Sequence, residues 1–218
     1  LPSGEITNRL LLQAAARCAL PMIMSTGIAN LAEIEDACAA ARDCDAGFAL
    51  LHCISSYPAK PEEMRLGTIE MLARTFGVPI GLSDHTLGSA VAVASIARGA
   101  CIIEKHITLA RADGGPDANF SLEPHEFKQL VDDCRMAHAA LGPAKTNRAG
   151  VGGSNAQFRR SLYVVADVKS GEILTEEKVR SIRPGNGLAP KHLDDVLGRP
   201  AARDLTRGEP FAWEMIRG

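Results

Sequence analysis

The feature that most constrains this chain is an alternation over residues 1–142, where short apolar runs trade places with longer stretches of helical period. The runs at 21–25, 48–53, 79–83 and 101–106 carry few polar interruptions and read as parallel strands buried on both faces. Between them, 31–43, 61–76, 88–98 and 124–141 place apolar residues at helical spacing, as Met64, Ile69, Leu72 and Phe76 do. Pro61 and Pro124 suit a first helical turn, where a missing N–H is no loss. A βαβαβαβα order calls for a parallel sheet covered by helices. Four such units are half of a (β/α)8 TIM barrel, which takes about 250 residues when complete. An open, flavodoxin-like sheet is the alternative.

The grammar then changes. Residues 143–158 are small, polar and Gly-rich, as a linker is. From 159 to 218 come short β-like runs at 161–165 and 182–183, turn signals at 169–171 and 207–208, and a short helix near 190–196. This predicts a separate, small, mostly-β domain. The expected class is α/β, with a half barrel over 1–142, a linker over 143–158 and the small domain over 159–218.

Composition narrows the function. The 218 residues are 46% hydrophobic and 23% charged with a net charge of −2, so nothing points to nucleic acid or a membrane surface. No apolar stretch approaches the roughly 20 residues of a membrane span. Cys18, Cys38, Cys44, Cys53, Cys101 and Cys134 form no CxxC pair and read as buried apolar residues of a reduced, cytoplasmic protein.

The chemistry concentrates at strand ends. Residues two apart in a strand share a face, so GLSDHT puts Ser83 and His85 together with Asp84 opposite, and CIIEKHIT puts Glu104 and His106 together with Lys105 opposite. Both pairs fall at C-terminal strand ends, where barrel enzymes build their sites. Two imidazoles with a nearby carboxylate suit a divalent ion with open positions. By the same parity Cys53, Ser55 and Tyr57 share one face, and His52 faces the helical layer as a structural residue. Ser25 and Thr26 precede Gly27, either as anion-binding hydroxyls or as ordinary helix caps. The loop ADGGPDANFSLEP brings Asp117 toward the strand ends, unless it is a plain turn. Arg183 lies beside a Pro-Gly-Asn-Gly turn, where a solvated surface arginine is the plain alternative.

Together PSGEITN, PMIMSTG, LLHCISSYP, GLSDHTLG, IIEKHITL, DGGPDANFSLEP, RRSLYVV and SIRPGNGL resemble the sialic acid synthase family, in family order and across essentially the whole chain. The small domain resembles the SAF (antifreeze-like, β-clip) domain that ends those enzymes. DGGPDANFSLEP, EEMRLGTI and FRRSLYVVADVKSGE look most like the pseudaminic acid synthases, whereas LLHC is closer to the N-acetylneuraminate branch. The resemblance implies condensation of phosphoenolpyruvate with an N-acetylated amino sugar. It assigns His85 and His106 to a manganese- or magnesium-type ion, and Ser3, Ser25, Ser55 and Ser83 to phosphoenolpyruvate. Ser55 stands where the neuraminate branch has Asn. The resemblance sets Glu5, Tyr57, Glu104 and Asp117 around the sugar, and sends Arg183 into the partner's site of a domain-swapped homodimer. It further implies that the barrel's earlier strands, with a proton-handling glutamate and a phosphate-binding lysine, precede Leu1, and that this piece alone is inactive. The rival readings are an N-acetylneuraminate or legionaminate synthase, a metal-dependent aldolase on a similar barrel, and a non-catalytic carbohydrate-binding remnant.

Overall fold

A computed structural model of the chain describes residues 1–18, 20–143 and 158–217. They form two compact units, Leu1–Pro143 and Ala144–Gly218. The stretch expected to be a linker lies outside the described residues, save its ends Pro143 and Phe158. No helix among the described residues is long and apolar enough to cross a membrane.

The first unit holds strands β1 (Met22–Ser25), β2 (Phe48–Cys53), β3 (Ile80–Asp84) and β4 (Ile103–Lys105), all parallel and in the order β1-β2-β3-β4. A doubly wound flavodoxin-like sheet reverses its strand order at a switch point; this one runs consecutively, as a barrel segment does. Leu1 continues the sheet beyond β1, on the side away from β2. Its carbonyl accepts from the Ser25 N–H at 3.0 Å and its amino group donates to the Ile23 carbonyl at 2.6 Å. Helices α1 (Arg9–Ala16), α2 (Leu31–Ala41), α3 (Gly67–Phe76), α4 (Ala90–Ile96) and α5 (Pro124–Ala140) cover the outer face. Leu50, Ile69, Leu72, Leu82 and Leu130 are among the residues buried in that layer.

Local chemistry explains the helix limits. Asn30 and Glu33 close a reciprocal capping box on α2, and Glu123 with Glu126 does the same for α5, where Pro124 occupies the first turn. The sequence pattern missed α1, which starts from Asn8 accepting the Leu11 N–H. The helix expected over 61–76 is broken: Pro61–Glu63 is a 3-10 turn, Arg65 takes a left-handed φ of 41°, and α3 follows. The Met64 carbonyl is taken by His52 Nε2 at 2.5 Å. Both sides of the break still bury Met64, Ile69 and Leu72, so the apolar spacing misled only about continuity.

The second unit pairs β5 (Ser161–Val164) antiparallel with β6 (Val179–Ile182) and adds a short helix α6 (Leu193–Val196). The strand expected at 182–183 therefore starts earlier and ends at Ile182, leaving Arg183 just outside it. Leu162, Leu174, Val179, Val196 and Phe211 centre a small core. The expectation that every cysteine is buried fails for Cys18 and Cys101, which are exposed beyond α1 and before β4, and for half-buried Cys134; Cys38, Cys44 and Cys53 are buried.

Gly81 lies where β3 meets its neighbours most closely. A Cβ there would fall 2.5 Å from the Ile102 carbonyl and 2.5 Å from Leu51 Cδ2, whereas one at Gly67 meets nothing within 4 Å. Gly81→Ala is expected to cost about 1–3 kcal/mol through overpacking. Gly67→Ala should be neutral or stabilising by up to about 1 kcal/mol. Thermal unfolding of the intact protein checks both signs.

Candidate active site

The site forms where the inward-facing residues of β2, β3 and β4 run past the strand ends. Register pairs Ser83 with Glu104 and Asp84 with Lys105. Ser83 Oγ donates to Glu104 Oε1 at 2.6 Å on the inner face, while Asp84 and Lys105 meet on the outer one. One residue further on, the rings of His85 and His106 approach to 5.3 Å between centroids at an interplanar angle of 65°. Tyr57 leans over His85 at 4.2 Å, and Phe120 packs edge-on against His106 at 4.9 Å.

A hydrogen bond orients the first of these rings. His85 Nδ1 is 3.0 Å from the Ile54 carbonyl, which can only accept, so Nδ1 carries the proton and the neutral ring keeps its lone pair on Nε2. Cys53 Sγ lies 3.8 Å from the same nitrogen. His106 Nδ1 is 3.6 Å from Asp117 Oδ2. The loop carrying Asp117 turns through Gly114 and Gly115 at φ of 76° and 120°, then is pinned beside β4 by the Leu122 N–H donating to the His106 carbonyl at 2.9 Å. Arg111 fastens the same loop through Glu126, whose carboxyl its hydrogen bonds hold down at about 2.

A second cluster surrounds Gly27, after β1. Its N–H donates to Ser3 Oγ at 2.9 Å, and a Cβ there would meet Ser55 Oγ at 2.5 Å and Cys53 Sγ at 3.0 Å. Ser25, at the end of β1, and Ser3 are both buried, while Ser55 is exposed. Cys53 joins the two clusters, being 4.0 Å from Ser55 Oγ.

The remaining residues singled out from sequence have contacts or exposure of their own. Glu5 accepts from Asn8 Nδ2 at 2.9 Å at the start of α1. His52 is buried among the helices, and burial lowers its pKa despite the Met64 carbonyl. Arg183 is exposed in the second unit. Sequence reasoning overlooked Phe120 and the joining role of Cys53. An aromatic ring inside a Gly- and Pro-rich loop, and a cysteine sharing a strand face with Ser55 and Tyr57, were the available signals.

These folds and motifs match known proteins. Residues 1–146 match the NeuB family and residues 159–217 the SAF domain. The chain belongs to the NeuB family. It is 36% identical to the N,N'-diacetyllegionaminic acid synthase of Legionella pneumophila, over 99% of this chain and 62% of that protein. With the pseudaminic acid synthase of Campylobacter jejuni (serotype O:23/36) it shares 38% identity over 96% of this chain and 61% of that protein. The chain thus spans less than two thirds of these relatives. A crystal structure of N-acetylneuraminic acid synthetase from Leptospira borgpetersenii, in complex with citrate, superposes with a TM-score of 0.66 at 36% identity, covering 73% of this chain and 56% of that one.

Among the described residues, no group of three or more His, Cys, Asp or Glu side chains is placed to hold a metal ion. His85 and His106 would offer an ion two ring nitrogens, at a centroid separation of 5.3 Å. Two imidazoles bound to one ion at about 2.1 Å place their ring centroids roughly 5 Å apart.

The thiol beside His85 has a measurable consequence. Burial lowers the His85 pKa, but hydrogen bonds to Cys53 and Ile54 and the charges of Cys53 and Asp84 outweigh it, leaving the ring above its ordinary 6.5. Burial conversely raises Cys53, and its bonds to His85, Ser3 and Ser83 bring it below the ordinary thiol value. Removing the thiol takes away groups that favour the imidazolium, so Cys53→Ala is expected to move the His85 titration midpoint downward. NMR of the imidazole carbons against pH checks this; an unchanged midpoint contradicts the coupling.

Proposed function

We propose that the enzyme containing this chain condenses phosphoenolpyruvate with 2,4-diacetamido-2,4,6-trideoxyaltrose to give pseudaminic acid and inorganic phosphate. The observation that carries the reading is the paired approach of His85 and His106 beside the Gly27-centred hydroxyls, all at strand C-terminal ends of a NeuB-family half barrel. Its motifs DGGPDANFSLEP and EEMRLGTI favour the pseudaminic branch. Relatives named for pseudaminic and for legionaminic acid match at similar identity, so legionaminate or N-acetylneuraminate synthesis is the second reading.

In the reaction, the methylene carbon of phosphoenolpyruvate forms a bond to the aldehyde carbon of the open-chain sugar. Positive charge grows on the adjacent carbon, water adds there and one of its protons goes to the former aldehyde oxygen; the C–O bond to phosphate then breaks as the added hydroxyl loses its proton, leaving a ketone and inorganic phosphate. A manganese- or magnesium-type ion, when bound, polarises the aldehyde oxygen. His85 and His106 would hold that ion. Ser3, Ser25, Ser55 and the Gly27 loop bind the phosphate and carboxylate oxygens, fixing the attacking carbon in place. Ser83, on the phosphoenolpyruvate side in this reading, also donates to Glu104, and Glu104 with Tyr57 and Asp117 orients the sugar hydroxyls. Glu5 lies toward the sugar in this reading, and Arg183 completes the partner's site in a homodimer.

A direct assay decides between the sugars. The intact enzyme with Mn2+ is expected to release phosphate at least about tenfold faster with the trideoxyaltrose than with N-acetylmannosamine, a preference worth about 1.4 kcal/mol. Equal or reversed rates transfer the assignment to the neuraminate-like branch. Sugar binding without phosphate release or metal dependence favours a non-catalytic remnant.

A further inference from the structure

We infer that the buried ion pair of Asp84 and Lys105 is a positioning device that sets the distance between His85 and His106. The inference rests on the reading of those histidines as ion ligands and adds the residues that hold them. Lys105 Nζ donates to Asp84 Oδ2 at 2.7 Å and also to the Thr86 carbonyl. Asp84 Oδ1 accepts from the Thr86 N–H at 2.9 Å and from Thr86 Oγ1 at 2.8 Å. Both residues flanking His85 are therefore tied to the residue immediately before His106.

Three features make this tether more than packing. First, the side chains of Lys105 and Asp84 are only 1% and 0% exposed, and Thr86 is fully buried. A buried ion pair costs desolvation that its own attraction barely repays, and apolar residues of the same volume are often as stabilising. Stability alone does not explain its presence. Second, the strand ladder does not reach the histidines. β3 ends at Asp84 and β4, three residues long, ends at Lys105, so both rings project from backbone beyond the last register pair. The Lys105 bonds begin where the ladder stops. Third, strand parity puts the pair on the face opposite the rings, where it touches neither substrate nor ion. From there it acts on the rings through the backbone that carries them.

The test is Mn2+ binding to the intact enzyme, read by electron paramagnetic resonance of the free ion, alongside thermal unfolding. Two variants separate positioning from folding. Lys105→Met keeps the apolar stem and removes the tether. Asp84→Asn/Lys105→Met also removes the unpaired charge, while the amide oxygen still accepts from Thr86, preserving the local turn. Both are expected to fold cooperatively and bind Mn2+ about 10–100-fold more weakly, the range seen when outer partners of metal ligands are lost. Saturating Mn2+ should recover most of the activity, with KM for phosphoenolpyruvate unchanged. Mn2+ affinity equal to wild type in folded variants overturns the inference. Failure of both variants to fold also overturns it, assigning the pair to structure. His85→Ala binding Mn2+ like wild type is the separate result that removes the ion reading and this inference with it.

Discussion

The structure depends on the register between β3 and β4. Ser83 opposite Glu104 and Asp84 opposite Lys105 send one pair inward and the other outward. A slip of β4 by one residue would exchange its two faces, placing Lys105 in the site and His106 among the helices. Gly81 lets the backbone of Ile102 come close enough for that register, because any side chain there would strike the Ile102 carbonyl. The hydrogen bond from Ser83 to Glu104 and the ion pair from Lys105 to Asp84 then fix the two faces from opposite sides.

Everything else in the site is arranged around that frame by short, specific contacts. The chain after β2 is attached through the Ala59 N–H to the His85 carbonyl, which holds Tyr57 near the rings. Partial burial, reinforced by the charges of Cys53, Asp117 and Glu104, pushes the Tyr57 hydroxyl up in pKa. The Asp117 loop is pinned both to β4 and to α5, bringing a carboxylate to His106 from outside the sheet. The constellation thus gathers hydroxyls, a carboxylate and two imidazoles at one end of the sheet.

Much of this was legible in the sequence because the period of a strand is two. Parity alone separates His85 from Asp84 and His106 from Lys105, and the repeated apolar runs predict a parallel half barrel. Parity also sends His52 to the helical layer, where its ring serves the Met64 carbonyl. What parity does not give is contact between elements distant in sequence. Ser3 reaching Gly27, and Phe120 packing on His106, depend on how a turn and a loop fold back, and neither has a periodic signature. The break at Arg65 was hidden because Met64 and Ile69 remain on a buried side across it. The Asp84–Lys105 contact follows from register once the strands are aligned, yet its extension to Thr86 belongs to the turn.

The central proposal is that His85 and His106 mark the point where the enzyme containing this chain would hold an ion. Diffraction from crystals of the intact enzyme soaked in Mn2+, recorded at the manganese absorption edge, tests it most directly. The account predicts one strong anomalous peak about 2.1–2.3 Å from a ring nitrogen of each histidine, the range of first-row metal–imidazole bonds. A peak at another cluster, or none between these two rings at saturating Mn2+, would contradict it.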